Sequence, residues 1–411
     1  MSLESVVVTG LGIISPLGND FPQLMDALQT GRSGVREVPE LEQIGGLRSR
    51  VAATVNGIDP KQIPRKFRRS MSNMSIYAYL ASQQALAMAG YPDDQLDSGD
   101  LGVFIGSTLG STATSEKFFH DYFRDYSLER MKTGLFFKMM GHSCAANVAQ
   151  SFGITGRVLA PSAACATSSQ AVGYAYEQIV MGRQKAILCG GADEFHPLTV
   201  ATFDIMHAAS THFNQQPDAT PRPFDSRRDG VVCGEGSGIL LLESETSARQ
   251  RGAQILAEVV GFSTTSDTSS IASPDVGAMV TCMQLALQDA WLTVADIDYV
   301  NAHATGTEQG DIAEAKAIQQ LFADRVPVSS LKGHLGHTMA ASGAIELAGC
   351  IGMLQQQQLF ATLNLEQIDE RCTGIDHLQQ NRSQPVKTIL KNNFAMGGIN
   401  STIILRSYLN D

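Results

Sequence analysis

The chain has no uncharged apolar run near the roughly 18 residues that cross a bilayer, so no membrane insertion is expected. It has no CxxC pair, and its seven cysteines, Cys144, Cys165, Cys189, Cys233, Cys282, Cys350 and Cys372, are an odd and scattered set. That argues against a disulfide framework and against a thiolate zinc site. Neither HxxxH nor HExxH occurs, so no metal site is expected. The glycine fingerprints of P-loop and dinucleotide-binding turns are missing, which excludes nucleotide-driven chemistry. Low-complexity runs and solenoid repeats are missing too. Positive charge is scarce: 30 Lys and Arg stand against 41 Asp and Glu, a net charge of −11. An acidic chain is a poor nucleic-acid binder. The opening residues MSLESVVVTG lack a basic n-region and an apolar h-region, so a cytoplasmic protein is expected.

What is present is a well-packed chain of 411 residues, 43% hydrophobic and 17% charged. That length accommodates two core-forming halves, expected at 1–250 and 251–411. Short apolar runs at 5–10, 101–106, 185–191, 238–243, 257–262, 298–303, 388–394 and 401–406 predict strands. Helical spacing is found at 74–90, 165–182, 276–292 and 311–322, with Gly90 and Gly182 as helix stops. Buried strands alternating with helices predict an α/β fold.

Cys165, in APSAACATSSQ, is the cysteine with a setting of its own. Small residues flank it, and a helix with apolar Ala171, Val172, Ala175 and Ile179 follows. Backbone N–H groups at a helix start would stabilise a thiolate. A buried, inert thiol is the competing reading. Two histidines occupy glycine-rich turns after predicted strands: His303 in NAHATGT and His337 in KGHLGHTMAASG. A cysteine with two such histidines points to a nucleophile–base site. Lys332, five residues before His337, would keep that imidazole neutral. Glu346 stands nine residues after it, and spacing alone leaves it even between a site residue and a helix-surface residue. The glycine pair in NNFAMGG could bring backbone N–H groups to a reacting carbonyl, although a plain tight turn is the better unaided reading. One basic cluster, PRKFRR, interrupts the acidic chain; Arg130 and Lys132 follow later.

Taken together, SAACATS, NAHATGT followed by GD, KxxxGHTxxAxG and RPFDxxRDGxxxGEG resemble the β-ketoacyl-acyl-carrier-protein synthases, the elongating condensing enzymes, over the whole chain. The resemblance implies a thiolase-like fold: two similar βαβαβ-type halves packed as a five-layer αβαβα sandwich, usually a homodimer. It implies that Cys165 is the acylated nucleophile, with cap insertions in its half. His303 and His337 complete a Cys-His-His site supported by Lys332 and Glu346. Thr305 and Thr307 would contact a phosphopantetheine arm. The Cys165 and Met396 N–H groups would form the oxyanion hole. Phe394 and Met396 would line the substrate site, and Leu109 would set acyl-pocket depth. Lys66 and Arg69, with Arg130 and Lys132, would dock acyl carrier protein. No cofactor of the enzyme's own is implied, because substrates arrive on the carrier's phosphopantetheine. The chain departs from the family at Ala395, where glycine is usual, at Met396, where phenylalanine is usual, and at Ala304. A fatty-acid elongation synthase is the leading expectation. A ketosynthase of a specialised polyketide or polyene pathway, and a non-catalytic chain-length-factor-like partner, are the alternatives.

Overall fold

The computed structural model describes residues 4–269, 271 and 274–408. Its eleven-stranded sheet comprises β1 (Val6–Ile14), β2 (Leu101–Gly106), β3 (Val158–Leu159), β4 (Ala186–Asp193), β5 (Gly236–Ser244), β6 (Ala257–Ser266), β7 (Tyr299–Asn301), β8 (Pro327–Ser329), β9 (Asp376–His377), β10 (Thr388–Ala395) and β11 (Ile399–Arg406). The order across the sheet is β9-β8-β7-β10-β11-β6-β1-β5-β4-β2-β3.

The order hides a repeat. Outward from the β1–β6 junction, one side runs β1, β5, β4, β2, β3 and the other β6, β11, β10, β7, β8, with β9 added. In each arm the successive pairings are antiparallel, antiparallel, parallel and parallel. Within the sheet, among the described residues, the arms meet through Val6–Val8 against Ala257–Val259.

Six helices complete the layers: α1 (Asn73–Ala89), α2 (Ser143–Phe152), α3 (Thr167–Val180), α4 (Val276–Asp289), α5 (Glu308–Phe322) and α6 (Ser342–Gln356). Helices α3 and α6 touch each other and strands of both arms, which makes them the middle layer. The pair α1 and α2 covers one outer face, and α4 and α5 cover the other. This is the five-layer arrangement the resemblance implies. All eight predicted strands and all four predicted helices are present, β2 with the predicted ends and the others with shifted ones. No helix among the described residues is long and apolar enough to cross a membrane.

Burial explains the sequence pattern. Strands β2 and β4 are buried on two faces, so they read as nearly continuous apolar runs rather than alternating ones. The outer helix α1 lies directly on β1 because glycines open the way. A Cβ on Gly12 would stand 1.7 Å from the Ala81 carbonyl oxygen. Gly12→Ala is therefore expected to destabilise the protein by at least the 1–3 kcal/mol typical of overpacking. Denaturant unfolding beside the wild type checks this; an unchanged midpoint would show that the helix can move off the strand.

Candidate active site

The two middle helices bring the site together. Each is entered through a single 3₁₀ turn, Ala164–Ala166 before α3 and Met339–Ala341 before α6. Each turn opens on a left-handed non-glycine residue, Ala164 at φ +46° and Met339 at φ +50°. Such conformations cost about 1–3 kcal/mol and persist where the surroundings enforce them. Here they turn the chain so that Cys165 faces the cavity between the arms.

His337 Nε2 lies 2.8 Å from Cys165 Sγ. The His303 and His337 rings stand 5.4 Å apart between centroids and nearly perpendicular, at 83°. Both rings are buried. Asn393, on β10, donates to His303 Nδ1 at 3.4 Å and to the Cys165 carbonyl at 3.2 Å. Occupying Nδ1 as an acceptor leaves the His303 proton on Nε2 as a donor. Glu314 accepts the His303 and Ala304 N–H groups at 2.8 and 2.7 Å, which fixes the end of the histidine-bearing strand. Burial pushes its carboxyl up to about 7. Asp311 likewise holds the Thr305 and Gly306 N–H groups, both at 3.1 Å.

The electrostatics correct one expectation. Helix-start stabilisation alone would make Cys165 a ready thiolate, but burial pushes its thiol up to about 11. The Lys332 charge and the N–H groups of Met396 and Cys165 itself pull the other way and only partly offset it. The resting group is a thiol beside a neutral imidazole. Burial first, then the Lys332 charge, holds both His303 and His337 well below the usual imidazole range. Lysine next to histidine was expected to do this; burial is the larger cause.

Lys332 and Glu346 are both buried, paired at 2.6 Å beneath the histidines. Glu346 is thus a buried partner of Lys332 and not a helix-surface residue. Thr305 and Thr307 line a cavity of about 550 Å³ together with Cys165, both histidines, Phe394 and Met396. The hydroxyls of the two threonines lie 3.1 Å apart. Ala395 ends β10 without left-handed backbone; the positive φ falls on Gly397 (+89°) and Gly398 (+76°), so the alanine introduces no strain. Leu109 is elsewhere: it is 68% exposed and outside the cavity lining. Lys66 and Arg69 lie on and just after the short helix Arg65–Arg68, Lys132 is exposed, and Arg130 is paired with Asp125 at 3.0 Å.

Three site residues were not found from the sequence. Glu314 and Asn393 are described above, and the third, Lys391, shares Glu346. For the last two a signal existed: KNN interrupts an apolar strand, and a period of two puts Lys391 and Asn393 on one face.

Sγ of Cys165 and a nitrogen of each histidine lie within 4.8 Å of one another, a set that could hold a metal ion. Two lysine ammonium groups close by oppose a dication there and favour negative charge instead.

The N-terminal-domain model of the beta-ketoacyl synthases matches residues 3–248, and the C-terminal-domain model matches residues 256–366. A curated relative, the 3-oxoacyl-[acyl-carrier-protein] synthase 1 of Escherichia coli K12, is 35% identical over 98% of this chain and 99% of its own. Among solved structures, a beta-ketoacyl synthase from Burkholderia phymatum superposes with a TM-score of 0.96 at 41% identity, covering 99% of this chain and 100% of that one. A ketosynthase solved with its type II polyketide acyl-carrier protein superposes with a TM-score of 0.92 at 28% identity, with the same coverage.

Proposed function

This chain belongs to the beta-ketoacyl synthase family, and from that premise we propose that it is a 3-oxoacyl-[acyl-carrier-protein] synthase of fatty-acid chain elongation. The observation that carries this reading is the 2.8 Å contact of Cys165 Sγ with His337 Nε2, with His303 across the same cavity.

Cys165 attacks the thioester of an acyl carrier protein. Its proton passes through His337 to the departing phosphopantetheine thiol, and the acyl chain is left on Sγ. A malonyl carrier protein follows, its arm running past Thr305 and Thr307. The neutral His303 donates a hydrogen bond from Nε2 to the malonyl thioester carbonyl, and His337 donates a second once its hydrogen has moved from Nδ1 to Nε2 while the carriers exchange. Negative charge develops on that oxygen as CO2 leaves, and preformed donors in a dry site stabilise it. The resulting carbanion attacks the acyl-cysteine carbonyl. The N–H groups of Cys165 and Met396, which already act to lower the Cys165 thiol, would hold the tetrahedral oxyanion. Collapse releases 3-oxoacyl carrier protein and the cysteine thiolate, which takes up one proton from solvent. A strong base is not needed, which suits two rings held neutral by burial.

Lys66 and Arg69 would contact the acidic carrier, with Lys132 and Arg130 as further contacts. Self-association is part of the same reading. Strand β3 is an edge whose two residues, Val158 and Leu159, are 51% and 40% exposed. The helix Thr112–Phe123 and the segment after it also expose Phe119, Phe123, Tyr126 and Phe136. An unpaired apolar edge of this kind is suited to pairing with a second copy.

The assay is direct. With an acyl carrier protein and malonyl carrier protein supplied together, one CO2 is expected per 3-oxoacyl product. Because both histidines stay neutral, the rate should hold as pH falls through about 6.5, the ordinary imidazole midpoint, and decline only below it. Absence of product with every acyl chain length offered would reject the reading.

A further inference from the structure

Beneath the Cys-His-His group lies a charge arrangement that neither the mechanism nor the sequence motifs require. Glu346 on α6 meets two lysines. Lys332 Nζ stands 2.6 Å from Oε1, and Lys391 Nζ on β10 stands 2.5 Å from Oε2. All three side chains are 0–1% exposed. Lys391 also donates to the Asn392 carbonyl at 2.6 Å. One carboxylate therefore serves two ammonium groups, and the cluster carries one surplus positive charge where no bulk water screens it. Burying even a balanced pair is costly, so an unbalanced one is an expensive feature to keep for structure alone.

The other groups facing Lys391 do not cancel the surplus. Cys350, from α6, is a neutral thiol that burial pushes up to about 12. Tyr299, from β7, is neutral as well, since burial raises its hydroxyl. Glu314, a further carboxylate whose charge is coupled to that of Lys332, has its oxygens on the N–H groups of His303 and Ala304 and is common to every variant compared below. What faces the cluster on the cavity side is Cys165, His303 and His337, and the field of Lys332 reaches all three.

We propose that Lys391 is an electrostatic positioning residue of this site. By taking one oxygen of Glu346 it leaves the Lys332 charge half neutralised, and the surplus positive charge favours negative charge on the cysteine sulfur and on the substrate while keeping both rings neutral. Its role in condensation rests on the reading given under Proposed function; its effect on the sulfur does not.

The sign follows from counting charges. Lys391→Met makes the cluster neutral, which disfavours the Cys165 thiolate. Glu346→Gln leaves two positive charges and favours it. The double variant restores the single surplus charge of the wild type. The experiment is the rate of Cys165 alkylation by iodoacetamide between about pH 6 and pH 9, a range lying below the thiol's midpoint, followed by intact mass. In that range, raising the thiol's pKa by about one makes the thiolate tenfold scarcer. Lys391→Met is expected to alkylate about tenfold more slowly at every pH, Glu346→Gln faster, and the double variant at close to the wild-type rate. A change in packing or access would not reverse with the sign of the charge and would not be rescued by the second substitution. Equal rates in wild type and Lys391→Met, or a double variant no faster than Lys391→Met, would overturn the proposal. So would failure of Lys391→Met and Lys391→Gln to fold, which would make the ammonium a structural requirement. If the alkylation order holds but the wild type forms no 3-oxoacyl product, the functional reading fails and this inference stands.

Discussion

Cys165→Ala is expected to form no acyl adduct and to lose condensation by roughly 10⁴-fold or more, the scale seen when a catalytic nucleophile is removed. The expectation rests on the absence of a substitute. The other six cysteines are no more than 2% exposed. Cys233 is the nearest alternative, since its backbone bridges to that of His337. Burial raises its thiol still further and the Cys165 charge adds to that. Its side chain packs in an apolar cluster with Leu41, Val200 and Met339. The fold should tolerate the alanine, because Cys165 packs against small apolar neighbours, Ala163, Ala164, Ala166 and Ala395. An adduct on any other residue of this variant, or condensation within a hundredfold of wild type, would count against the assignment.

The two histidines should separate the half-reactions. His337 touches the sulfur and, in the proposed mechanism, also the malonyl carbonyl. His303 makes no hydrogen bond to the sulfur, and in that mechanism its Nε2–H donor serves the second step alone. His303→Ala should therefore leave single-turnover acylation of Cys165 within about tenfold of wild type. It should lower CO2 release from malonyl carrier protein by roughly 10²–10³-fold, the usual cost of one preorganised donor. His337→Ala should impair both. Rapid-quench acylation and labelled-CO2 release measure the two steps apart. Equal losses in both steps for His303→Ala would mean that the ring acts through the cysteine and not on the second substrate.

The strands were legible because an α/β sheet buried on both faces leaves continuous apolar runs, and β2 was located to the residue. The two-residue β3 and β9 and the three-residue β8 carry too few side chains for any period to show. The repeat between the two arms lies in hydrogen-bonding order, which no local pattern records. Cys165 and the histidines stood out through their glycine and small-residue turns, since close backbone approach restricts which residues fit. Their protonation did not stand out. A cysteine before a helix looks like a thiolate until burial is known, and here burial outweighs the helix start. Leu109 was placed by resemblance alone, and it lies exposed outside the cavity. Glu346 was ambiguous at helical spacing because both of its partners are distant in sequence. Lys391 was overlooked because a lysine in a strand is ordinarily an edge or surface residue, and only the fold shows this one to be sealed between β10 and α6.

The measurement that tests the central claim most directly is intact mass of the wild-type protein, first with an acyl carrier protein and then with malonyl carrier protein added. The structure predicts a single acyl adduct, mapped to Cys165 by peptide analysis, which disappears on the second addition as 3-oxoacyl carrier protein and CO2 form in equal amounts. An adduct on another residue, or one on Cys165 that water removes and malonyl carrier protein does not, would contradict it.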